Sequence, residues 1–166
     1  MPEANIQQLC QNASNKLKII VQRIESFLNH YSLPQLIEGH DEEANTFYQG
    51  FLADLRHLLV FSEVSYEKLG IVLRRGTFDT NSAEKALYHV YHDCVNHFFY
   101  PKHESYSEDG RYAYTGQDSI RFRKKPVRPA RDVVLDLTSI FEELRDELTY
   151  YESDYLTQIR MQRMNS

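Results

Sequence analysis

Four stretches of this chain repeat apolar residues every three or four positions, the spacing that lines one face of an α-helix. In the first, Ile6, Leu9, Ala13, Leu17, Ile20, Ile24, Phe27 and Tyr31 predict a helix from about Ala4 to Tyr31. It should stop before Ser32-Leu33-Pro34, because the residue ahead of a proline is pushed out of the helical region, and a loop with Gly39 should follow. A second helix should begin near Asp41, with Glu42 and Glu43 at the positive end of its dipole and Arg74, Arg75 and a C-cap Gly76 at the other end. Its stripe runs through Phe47, Phe51, Leu55, Leu58 and Leu59 and continues through Val64, Leu69, Val72 and Leu73. A third helix should start at Asn81 with Glu84 as capping-box partner, burying Ala83, Leu87, Val90, Cys94 and Phe98. In the fourth, from about Arg131 to Met161, Val134, Leu137, Phe141, Leu144, Leu148, Tyr151 and Tyr155 alternate steps of three and four, as along a bundle seam.

Long helices joined by short loops pack antiparallel, so the expected fold is mainly α, a four-helix up-and-down bundle forming one domain over residues 1–166. The segment from about 101 to 130 is too long for an ordinary bundle connection. Within it, Arg111-Tyr112-Ala113-Tyr114 and Ser119-Ile120-Arg121-Phe122-Arg123 alternate in character around Thr115-Gly116-Gln117-Asp118. That pattern predicts a β-hairpin inserted between the third and fourth helices, lying against the bundle.

Charge separates this insertion from the rest. The whole chain carries −5, but residues 100–131 hold eight basic and four acidic residues, leaving −9 for the remainder. An acidic total argues against a dedicated nucleic-acid protein. No apolar run approaches the roughly 20 residues of a membrane span, and no secretory leader is evident, so a cytoplasmic protein with no membrane association is expected. Cys10 and Cys94 are far apart within helical patterns and read as reduced core thiols.

Several stretches resemble the YpuI family of Bacillus-type Firmicutes: RHLLVFSE (Arg56 to Glu63), AEKALYHVYHDCVNHFFYPK (Ala83 to Lys102), AYTGQDSIRFR (Ala113 to Arg123) and ELTYYESDY (Glu147 to Tyr155). The resemblance implies a cytosolic bacterial protein. That family is itself of unknown function, so no catalytic or binding residues carry over.

The residues themselves offer three sites for chemistry. His89, His92, Asp93 and His97 have helical spacings that can bind zinc or iron. They lack a His-Glu-Xaa-Xaa-His or Glu-Xaa-Xaa-His frame, so they read as locally hydrogen-bonded histidines, and no metal or cofactor is assigned. Asp54-Leu55-Arg56-His57 is a weaker analogue. Arg23 and His30 loosely match the Arg…His motif of HEPN ribonucleases, seven residues apart on one helix, and read as a solvated arginine and a helix-terminal histidine. The hairpin and its tail carry Arg111, Tyr112, Tyr114, Arg121, Arg123, Lys124, Lys125 and Arg128, a set suited to an anionic ligand or protein partner and, as the alternative, nucleic acid. Acidic helices can instead neutralise these cations, Glu142, Glu143, Asp146 and Glu147 among them. Tyr150, Tyr151 and Tyr155 suit the seam of a homodimer. The reading that follows is a non-enzymatic interaction or regulatory module, with nucleic-acid binding second and a metal-dependent or ribonuclease activity third.

Overall fold

The computed structural model describes residues 3–37, 39, 41–108 and 120–165. Helix α1 spans Glu3–His30, a one-turn α2 Leu33–Leu36, and α3 Glu42–Arg74. Then come α4 (Thr80–His89), a π-helical stretch (Val90–Val95) and α5 (Asn96–Phe99), followed by strands β1 (Tyr106–Glu108) and β2 (Ile120–Phe122). Helix α6 spans Arg128–Glu147, and a 3-10 turn at Thr149–Tyr151 leads to α7 (Asp154–Met164). The expected mainly α fold with an inserted hairpin is what forms.

Pairings give the bundle its directions. Lys16 reaches Glu143 and Glu147 while Arg23 reaches Asp136, so α1 and α6 run antiparallel. Cys94 meets Ser65 and His97 meets Asp54, so the α4–α5 rod runs antiparallel to α3. Phe98 stacks on Phe141 with ring centroids 4.4 Å apart, and both are fully buried.

Departures from the expected elements have local causes. Pro34 sits in the first turn of α2, where its missing N–H costs nothing, so the segment after α1 is a helical turn and not a plain loop. Asp79 caps α4, accepting from the Asn81 N–H at 3.1 Å and the Ser82 hydroxyl at 2.7 Å. That hydroxyl holds the Asp79 carboxyl below its usual range. The helix thus starts one residue before Asn81, and Glu84 is left to accept from the Tyr151 hydroxyl at 3.3 Å. Extended Arg75, not a left-handed Gly76, ends α3.

Val64 is exposed, and the inner stripe of α3 passes through buried Ser62 and Ser65 instead. Ser65 accepts the Cys94 thiol at 3.4 Å, so small side chains face the central rod. The predicted fourth helix is two helices. Thr149 Oγ1 donates to the carbonyls of Arg145 and Asp146, both at 3.0 Å, occupying acceptors of the last turn of α6. The 3-10 turn still delivers Tyr151 and Tyr155 to the core, where they pack with each other and Tyr155 meets Tyr88. These two rings are therefore covered within the chain, while Tyr150 is partly exposed.

β1 and β2 pair antiparallel, with Tyr106 opposite Phe122, Ser107 opposite Arg121 and Glu108 opposite Ile120. The partner of β2 among the described residues is thus Tyr106–Glu108. The strand expected at Arg111 to Tyr114 and its turn lie outside the described residues.

Candidate functional site

Strand alternation sorts the hairpin into two faces. Tyr106, Glu108 and Ile120 are buried against the bundle, while Ser107 and Arg121 face outward. Glu108 accepts from Arg145 at 2.8 Å, and the Arg145 guanidinium lies 4.0 Å from the Phe99 ring centroid. Burial opposes the Arg145 charge, but the hydrogen bond and field of Glu108 outweigh it and raise the pKa.

Among the expected anion-binding residues, Arg121, Arg123, Lys125 and Arg128 are exposed. Arg123 lies 5.9 Å from the Phe47 ring centroid and donates to the His103 carbonyl at 3.5 Å. Lys124 pairs with Asp41 at 3.6 Å and Glu43 at 3.3 Å, and Arg128 pairs with Asp132 at 3.6 Å. The Val127 N–H donates to the Tyr48 hydroxyl at 2.8 Å, fastening the tail to α3. Arg111, Tyr112 and Tyr114 lie outside the described residues. An open groove of about 570 Å³ lies beside β2, between Arg121 and the exposed Tyr100.

The histidines of the third helix separate. His89 pairs with Asp93 at 3.2 Å on the surface, and His92 Nε2 lies 2.9 Å from the Tyr151 carbonyl. His97 turns to α3, its Nε2 3.4 Å from the Asp54 carbonyl, and burial pushes its pKa below the ordinary imidazole value. Arg23 and His30 also have local partners, Asp136 and the Ser26 carbonyl.

A different set converges. Asp54 and His57, one turn apart on α3, meet His103 from the loop after α5, and one ligand atom from each lies within 4.8 Å of the others. Asp54 is 2% exposed. It accepts from the His103 N–H at 2.9 Å and from the Ser105 hydroxyl at 2.8 Å. Glu104 between those donors has φ 51°, the left-handed conformation that turns both toward one carboxylate. Gly50, one turn before Asp54, makes room, since a Cβ there would stand 3.2 Å from His103 Cβ. His57 stacks on His103 with centroids 6.1 Å apart and meets His97 edge-on at 6.0 Å. The Asp54/His57 spacing was visible in sequence, but nothing in it marked His103 as the third member.

No helix among the described residues is long and apolar enough to cross a membrane. No solved structure matches the chain. The chain is 32% identical over 143 residues to the "Uncharacterized protein YpuI" of Bacillus subtilis (strain 168), covering 86% of this chain and 79% of that one. A family described as "Protein of unknown function (DUF3907)" matches residues 10–157. With nearly all of the bundle and the whole hairpin inside that match, the chain belongs to the DUF3907 family.

Proposed function

We propose that this protein is a non-enzymatic interaction module whose contact surface is the outward face of the hairpin and its basic tail, and whose partner is an acidic protein segment. The observation that carries this reading is the contrast among neighbouring cations. Arg145 and Lys124 are partly buried against Glu108, Asp41 and Glu43, whereas the side chains of Arg121, Lys125 and Arg128 are exposed along one short stretch, Arg128 with Asp132 beside it. A planar guanidinium beside an exposed tyrosine suits a carboxylate on a peptide, bonded by its oxygens and packed by the ring. Asp41 and Glu43 pair with Lys124 of the tail, and Glu42 lines the same recess as Arg123 and Lys124. Such a mixed border disfavours a continuous polyanion and favours a short acidic segment within a protein of mixed charge.

The test compares co-purification from nuclease-treated cells by the wild-type chain and by the triple variant Arg121→Glu, Lys125→Glu, Arg128→Glu. A partner retained by the former at low salt and lost by the latter, with both equally folded by circular dichroism, supports the reading. Equal retention by both removes it. Capture seen only in a parallel preparation without nuclease, with direct binding to RNA or DNA that falls steeply with salt, hands the surface to nucleic acid.

A further inference from the structure

We propose that Asp54, His57 and His103 form a binding site for one divalent transition-metal ion, of the class of zinc or cobalt, at the root of the hairpin. Two imidazoles and one carboxylate are the donor set of borderline ions. Two ligands on a tetrahedral ion of this class stand about 3.4 Å apart, given bonds of about 2.1 Å. Ligand atoms within 4.8 Å of one another therefore need a closure of up to about 1.4 Å. His103 can supply it, being exposed and on a loop.

A second observation points the same way. Asp54 is buried, yet among the described residues no lysine or arginine pairs with it, and its printed donors are an amide and a hydroxyl. A buried carboxylate without a counter-cation is costly, and an ion held by His57 and His103 supplies one. The hydrogen bonds leave it further lone pairs, since a carboxylate offers about four acceptor sites. His97 packs behind His57 and braces the ring. Three protein ligands leave at least one coordination position open toward solvent. Because Ser105 immediately precedes β1, occupancy would lock the start of the hairpin onto α3.

The experiment uses tag-free, chelator-stripped full-length protein titrated calorimetrically with zinc alone, and with cobalt to read visible d–d bands. One equivalent should bind, with zinc raising the melting temperature. His103→Ala should weaken binding at least tenfold and abolish the cobalt bands, while its metal-free melting temperature stays at the wild-type value. His57→Ala should do the same. His89→Ala with Asp93→Ala, removing the surface pair, should leave binding unchanged. Absence of saturable one-equivalent binding overturns the proposal, as does wild-type affinity in His103→Ala or a loss confined to the His89/Asp93 variant. If His57→Ala does not fold, His103→Ala decides alone. The hairpin-face variant reports separately on the proposed partner surface, so either reading can fail without the other.

Discussion

Single side chains decide more here than their spacing along the chain announces. His89 and Asp93 do meet, as their four-residue separation requires, but they close a surface pair and go no further. His103 could not be placed from its neighbours, because what brings it to Asp54 is a left-handed Glu104 and the missing Cβ of Gly50. Such contacts across 49 residues carry no periodic signal. Phe98 is the opposite case, legible as one member of a helical stripe and found stacked on Phe141 at the centre. Phe98→Ala should cost about 3–5 kcal/mol of unfolding free energy, because the surrounding rings cannot collapse fully into the space. Urea denaturation measures it, and a loss no larger than the roughly 1.5–3 kcal/mol of transferring the ring from water would mean that the stack and its cavity add little beyond transfer.

Elements were legible where one face meets one neighbour and less so where a helix is surrounded. The ends of α1 and α3 lie within a residue or two of their expected positions. The central rod buries Val90, Tyr91, Cys94, Val95, Phe98 and Phe99, adjacent pairs recurring every four residues. An α-helix of 3.6 residues per turn drifts against such a repeat, and the wider π stretch lets the pairs stay inward. The α6 break was hidden because Leu148, Tyr151 and Tyr155 keep the seam's spacing across it, and only the Thr149 hydroxyl marks the stop. On the α1–α3 seam, burial and the neighbouring Glu25 and Glu67 raise the pKa of Glu63. The protonated form therefore suits the fold better. This contribution is present below the ordinary carboxylate pKa and lost as pH rises through the raised value. Glu63→Gln should stabilise the protein slightly at pH 7, by about 0.3 kcal/mol for so exposed a group. The gain should shrink in high salt and vanish near pH 4, which thermal melts at the two pH values would show.

At the scale of the molecule, the sequence disclosed a bundle, an insertion and opposite charges in the two. It could not disclose how far that charge is internally answered, which depends on where Asp41 and Glu43 stand in space relative to Lys124. The bundle is also unevenly fastened. In α7, Tyr155 is the one buried side chain, and Met161 and Met164 are exposed, the latter 83%. Few buried contacts mean a small opening free energy for the segment by itself. Amides of α7 beyond its first turn should exchange with deuterium at least tenfold faster than those of α3, as mass spectrometry of quenched peptides would read. Uniform protection of the two would show that α7 opens only with the whole.

If α7 opens alone, Tyr155 marks a mechanical boundary. On one side of it, a pull applied through α7 meets a helix that yields. On the other, it meets the tyrosine cluster of the core, and the molecule resists as a unit.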